Sequence, residues 1–345
     1  RRIAALGRRE SQGDRNMNYR SYADLSSDIA RQLSRLQAGN FDLIVGIPRS
    51  GMVPAYMISA MLNRACTDLD TFIANGSPGK GMTRKVRGAA QSAWENKRVL
   101  LVDDSFNSGA SLKASLARIP QECPCDITTC VIYANPAPVV GVDMYLVELE
   151  HPRAFQWNLF HHPALADSCL DIDGVLCLDP TPEQNDDGPR YRDFLTNAAP
   201  LHIPTYRVHS LVTNRLEKYR PETTAWLARH GVEYDHLIML DLPSKEERLR
   251  QNRHSSHKAD YYRDSGCRLF IESEVGQATN ITRMTGRPVY CVDAHQMMTP
   301  EWASMSAQKK GQVLVCMFKR MARRVVTWLP APLARQARSV YQRLA

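Results

Sequence analysis

Two carboxylates stand side by side at Asp103 and Asp104, after four apolar residues, Val99 to Val102, and before a loop of small residues ending at Gly109. The apolar run reads as a buried parallel strand. Beyond the loop, Leu112, Leu116 and Ile119 carry helical spacing. Strand, acidic pair, small-residue loop and helix start together make a site for a phosphorylated sugar. Backbone N–H groups from Ser105 through Asn107 to Gly109, at the positive end of the helix, can cradle a phosphate. Ser105, Ser108 and Ser111 add hydroxyl donors, and Asp103 and Asp104 can accept from vicinal sugar hydroxyls. The plainer alternative is an acidic turn that caps a helix. A second piece argues against it: Phe41 to Val45 reads as a short buried strand running into Gly46-Ile-Pro-Arg-Ser-Gly51. Its two glycines allow close backbone approach, and Arg49, beside Ser50 and Gly51, offers a fork of donors for phosphate oxygens.

Placed one strand apart, these two loops resemble the signature of the type I phosphoribosyltransferases, over about residues 19–160. The resemblance implies that phosphoribosyl pyrophosphate (PRPP) is bound, with Arg49, Ser50 and Gly51 on the pyrophosphate. The acidic pair, Ser105, Asn107, Ser108, Gly109 and Ser111 would then hold the ribose phosphate. Purine-salvage members carry an Asp where Asn107 stands, which counts against a purine acceptor. The long polar segment Ala74 to Lys97 is expected to be a lid, because a loop of this length in a compact domain is usually functional or disordered. Its Lys80, Arg84, Lys85 and Arg87 could neutralise the departing pyrophosphate.

A second set of residues begins at Asp171-Ile-Asp173-Gly174, after the strand Cys169 to Asp171. It resembles the first motif of the haloacid dehalogenase-like (HAD) superfamily. The other motifs of that family follow in order: Val208 to Thr213, a strand ending in Thr; Lys258, after a charged helix; and Leu269 to Glu272, a strand ending in an acid. The resemblance implies that Asp171 attacks phosphorus and that Asp173 acts as acid and then base. Thr213 and Lys258 would hold the transferring oxygens, with Mg²⁺ held at Asp171, Asp173 and Glu272. Glu274 is the fallback ligand. Short connections between the motifs leave no room for a large cap, so the site should stay open to a bulky substrate.

These pieces must be positioned by two domains, as the 345-residue length allows. The expected architecture is α/β: two doubly wound parallel sheets, a phosphoribosyltransferase fold over residues 17–165 and a HAD-like fold without a large cap over 166–300. Residues 1–16 look like a disordered leader, and residues 301–345 like basic amphipathic helices. Tyr22, Leu25, Ile29 and Leu33 mark an amphipathic helix at the start of the first domain, while Ile127 to Tyr133 and Met144 to Val147 complete its sheet. Between the domains, His151 to His162 is aromatic and histidine-rich; it either lines the acceptor side or wedges the domains together, and packing is the commoner role.

From residue 302 onward there are nine basic residues and no acid; set against the net charge of +8, that leaves −1 for the rest. Positive charge therefore belongs to the tail and not to a nucleic-acid groove. Within it, Val313, Leu314, Met317, Phe318, Met321, Val325 and Trp328 share one helical arc opposite Lys319, Arg320, Arg323 and Arg324. Such a helix either lies on an anionic membrane or packs on the core. No apolar run reaches the eighteen or so residues of a membrane span, and no signal peptide is visible. Nine scattered cysteines fit reduced thiols in a cytosol.

The pairing is similar to transferase–phosphatase fusions of bacterial surface-polysaccharide assembly. It implies transfer of phosphoribose to a lipid-linked glycan hydroxyl, then removal of the 5-phosphate, at the cytoplasmic face of the inner membrane. A nucleobase transferase coupled to a nucleotidase, or a PRPP-sensing regulator, are the alternatives.

Overall fold

The computed structural model describes residues 17–79, 90–136, 141–251 and 254–304. The leader, the lid cations Lys80, Arg84, Lys85 and Arg87, and the basic tail lie outside the described residues.

Among the described residues the first half holds seven strands: β1 (Asn18–Arg20), β2 (Leu43–Gly46), β3 (Ala65–Asp68), β4 (Arg98–Ser105), β5 (Asp126–Ala134), β6 (Met144–Glu148) and β7 (Arg153–Phe155). Five of them form a parallel sheet in the order β3-β2-β4-β5-β6. Its central strands are apolar on both faces because helices cover both, as parallel sheets require. Leu25, Ile29, Ala55 and Ile58 pack on one face, and Leu69, Phe72 and Leu112 on the other. β4 runs further than its apolar residues. Asp103 pairs with Val131 and Ser105 with Tyr133, so the acidic pair forms the last rungs of a strand and not the start of a loop. The nine-residue β5 beside it supplies those extra rungs. The helices Met52–Leu62 and Ala110–Ala117 begin at Gly51 and Gly109, the ends of the two loops. Ile119 falls beyond the second helix.

The other half holds β8 (Ser168–Leu170), β9 (Val208–Leu216), β10 (Tyr234–Leu240), β11 (Leu269–Glu272), β12 (Val289–Cys291) and β13 (Gln296–Met298). They form one sheet in the order β10-β9-β8-β11-β12-β13, parallel except for the antiparallel edge strand β13. The order reverses direction at β8, so the carboxyl ends of β8, β9 and β11 meet in one crevice, where open α/β sheets place their ligands. β9 continues past Thr213 for three residues.

The segment from His151 to His162 serves both halves. Phe155 lies between Tyr133 and Trp157, with ring centroids 5.3 and 4.8 Å apart, in the first core. Ala154, Leu159 and Leu165 enter the core of the second sheet. β1 and β7 pair in parallel, Tyr19 opposite Ala154, and the Tyr19 ring meets Tyr290 at 5.3 Å. The aromatic residues of this segment therefore pack between the sheets.

Candidate active sites

At the first sheet's carboxyl edge, Asp104 is buried and Asp103 half-buried. Asp103 Oδ1 accepts the Asp104 backbone N–H at 2.9 Å, and Asp104 Oδ2 accepts the Trp157 indole N–H at 2.6 Å. Burial, with the Asp104 charge adding to it, pushes Asp103 up to about 7. Burial also raises Asp104, against the pull of the Trp157 bond. Both carboxyls therefore hold their protons to higher pH than free side chains do, as adjacent carboxylates do when water is withdrawn. Buried Arg153 donates to the Phe106 and Leu149 carbonyls and braces the loop after β4.

Gly51 is fixed by contact. A Cβ there would lie 2.7 Å from both the Ile47 and Val102 carbonyl oxygens, so the Arg49-Ser50-Gly51 loop is pressed backbone to backbone against β4. Arg49 is exposed and Ser50 half-buried beside it. Gly109 has φ +76°, a left-handed conformation that starts the following helix, and a Cβ there would meet the Phe106 ring at 2.8 Å. Asn107, Ser108 and Ser111 are exposed and Ser105 half-buried, around the start of that helix. The two loops thus face one another across β2 and β4, which are neighbours in the sheet.

In the second sheet, the fully buried Lys258 donates to Asp171 Oδ2 at 2.6 Å, to Glu272 Oε2 at 2.7 Å and to Gln277 Oε1 at 3.3 Å. Burial pushes Asp171 up to about 8, with Glu272 and Asp173 adding to it against the attraction of Lys258. One cation serves two carboxylates, so negative charge is in excess. Lys258 itself is raised, because the attraction of Asp171 and Glu272 outweighs its burial. Asp173 is held separately. The fully buried Arg215 spans it with Nη2 to Oδ1 at 2.7 Å and Nε to Oδ2 at 3.1 Å. Thr213 is buried, and its hydroxyl accepts the Arg215 backbone N–H at 3.3 Å. Glu274 is spent as a helix cap, accepting from the Gly276 and Gln277 N–H groups. Glu272 is therefore the acid that shares Lys258.

Arg215 is the residue that the sequence reading missed. With β9 ended at Thr213 it falls in a loop. With β9 extended, the period of two places it on the same face as Thr213. A crevice of about 390 Å³ opens on Asp171 and Asp173, walled by Asp179, Asn214, Arg248 and His254. The loop over it is tied down: Asp187 accepts from Lys218 Nζ, the Tyr219 hydroxyl and the Lys245 N–H.

The oxygen-rich donor set of Asp171, Asp173 and Glu272 suits a hard divalent cation. Asp171 Oδ1 and Glu272 Oε1 receive backbone N–H groups and keep lone pairs to spare. Among the described residues, no three such side chains are close enough to enclose an ion unaided.

Residues 18–168 match the phosphoribosyl transferase domain family. Among solved structures, the purine phosphoribosyltransferase from Pyrococcus horikoshii Ot3 is 21% identical, with 41% of this chain and 93% of that one covered and a TM-score of 0.30. The xanthine-guanine-hypoxanthine phosphoribosyltransferase of Helicobacter pylori is 16% identical over 42% and 94%, with a TM-score of 0.33. The all-parallel sheet with two loops at its carboxyl edge accords with that match, and residues 18–168 are a phosphoribosyl transferase domain.

Proposed function

We propose that this chain is a bifunctional enzyme that transfers 5-phosphoribose from PRPP to a glycan hydroxyl and then removes the 5-phosphate, leaving ribofuranose. One arrangement carries the reading. Lys258 ties Asp171 to Glu272, and Arg215 grips Asp173, at the carboxyl ends of a second parallel sheet on the same chain as the transferase. The strand order around β8 and the sequence of motifs support a HAD-like phosphatase. Asn107 and the short connections between motifs among the described residues support a bulky, non-purine acceptor.

In the transfer step, Asp103 and Asp104 hold the ribose hydroxyls while the bond from the anomeric carbon to pyrophosphate breaks. The loop of Arg49, Ser50 and Gly51 receives the departing charge. The acceptor hydroxyl bonds to the anomeric carbon, and its proton passes to the released pyrophosphate. In the second step, Asp171 attacks phosphorus and the sugar's C5 oxygen leaves, taking a proton from Asp173. Asp173 then takes a proton from the water that cleaves the aspartyl phosphate. Lys258 and Thr213 hold the phosphoryl oxygens. Mg²⁺, held by Asp171, Asp173 and Glu272, would offset phosphate charge when bound.

The acceptor is proposed to be lipid-linked. The basic tail is proposed to hold the enzyme on an anionic membrane at the cytoplasmic face. The test is Asp171→Asn incubated with PRPP and lipid-linked glycan acceptors. Mass spectra should show acceptor plus phosphopentose accumulating. Fully dephosphorylated product would overturn the phosphatase assignment, and product formed only from nucleobases would overturn the glycan acceptor.

A further inference from the structure

Between the two sheets lies a groove of about 520 Å³, lined from the first half by Tyr22 and the Trp157 to His161 segment, and from the second by His202, Tyr290 and His295. We propose that this groove is the acceptor subsite and takes a neutral sugar ring. The inference rests on the glycan reading above and goes further, naming the place and chemical class of the acceptor.

Three observations carry it. First, Trp157 joins the groove to the transferase site. Trp157 forms part of its wall while its indole N–H is bonded to the Asp104 carboxylate at 2.6 Å. A ligand here therefore lies one residue from the acidic pair. Second, among the described residues the lining holds no Lys, Arg, Asp or Glu; it is aromatic, aliphatic, amide and imidazole. Phosphate finds no cation in such a wall, whereas a neutral polyhydroxylated ring finds donors and acceptors without a charge to desolvate. Burial, with His295 and His161 adding to it, lowers His202, which favours the neutral imidazole, one ring nitrogen donating and the other accepting.

Third, the rings are already stacked on one another. Phe160 and His202 lie parallel, 4.3 Å apart at 4°, and Trp157 rests on Phe155 at 13°. Such pairs offer single faces and edges, with no slot between parallel rings for a planar base. A pyranose needs one apolar face for its C–H side and polar groups around its rim, and the groove has both. Asn158 adds a buried Oδ1 that has no hydrogen-bond partner among the described residues.

The test is saturation-transfer NMR on the full chain with a panel of neutral methyl pyranosides, against adenine and uracil. It is run on wild type, His202→Ala and His295→Asn. The second variant keeps a residue that tolerates the left-handed backbone at position 295, where φ is +49°, so it serves if His202→Ala fails to fold. The expected result is a saturable sugar signal that weakens at least tenfold in both variants, with none from the bases. No signal from any sugar, or one unchanged in folded variants, would overturn the groove. A base signal that is lost in the variants would overturn its chemical class. PRPP-driven transfer to the same sugars separates this inference from the function on which it rests. Transfer that survives both variants keeps the glycan reading and sinks the groove. Sugar binding lost in the variants, with no transfer in wild type, keeps the groove and sinks the glycan reading.

Discussion

Replacing Asp171 by Asn should make the second half more stable at alkaline pH while ending its chemistry. Asp171 is buried, and its carboxyl is pushed from 3.8 to about 8. The folded chain therefore keeps a proton there that the unfolded chain releases. For a carboxyl raised in this way, the stabilising contribution is complete below about pH 4 and is lost as pH rises toward about 8. Each tenfold change in proton affinity is worth about 1.4 kcal/mol. Wild type should thus lose roughly 3–4 kcal/mol relative to Asp171→Asn between about pH 5 and pH 8. Against this, Asn offers Lys258 a neutral amide acceptor in place of the protonated carboxyl it bonds at 2.6 Å, an exchange that costs about 1 kcal/mol. The variant should therefore be level with wild type or slightly weaker in acid and clearly stronger in base. Urea titrations at the two pH values, with hydrogen exchange of the β8 and β11 amides to report on the second sheet alone, would read the difference. A difference that stays flat, or that grows toward acid, would refute the account of an overcharged Lys258 cluster.

Trp157→Phe removes the indole donor from buried Asp104. It should cost about 1–3 kcal/mol locally and slow pentose transfer, with hydrolysis of p-nitrophenyl phosphate unchanged as the control. Gly51→Ala sets a methyl 2.7 Å from two backbone carbonyl oxygens, so calorimetry should show PRPP affinity at least tenfold weaker. Arg215→Lys keeps the charge and loses the fork that fixes Asp173. Turnover of p-nitrophenyl phosphate should fall about 10²–10⁴-fold, the usual contribution of a positioned acid–base group, with circular dichroism confirming the fold.

The strands that carry the two sites were legible because they are short apolar runs ending in chemistry, Val99 to Val102 before the acids and Leu269 to Ile271 before Glu272; Tyr234–Leu240, Val289–Cys291 and the antiparallel edge Gln296–Met298 carry no such ending and were not read. Boundaries were not, because pairing decides them. Asp103 and Ser105 belong to β4 only because Val131 and Tyr133 stand opposite, and nothing local announces this. The edge strand Ala65–Asp68 lacks β-branched residues apart from Thr67 and is held by β2. Lys258 could be found by motif order, but its sharing between Asp171 and Glu272 needs the third dimension. So does Asp28, which sits buried in the first helix with Tyr133 as its hydroxyl donor at 2.8 Å and Arg20 at 3.4 Å. In sequence, Asp28 looks like one more solvent-facing acid.

The short pairing of β1 with β7 bears on how the chain is born. Asn18–Arg20 leaves the ribosome among the first described residues, yet its partner Arg153–Phe155 comes after the whole five-stranded sheet. The ring that meets Tyr19 belongs to Tyr290, near the last described strand. The strand pair can close once Phe155 has been made, but Tyr19 stays uncovered on the side of the second sheet until Tyr290 has been translated. Severing the gene between the two halves would then leave each product with a raw edge, Tyr19 bare on one and Tyr290 on the other. Co-expressing the pieces should restore solubility that neither has alone.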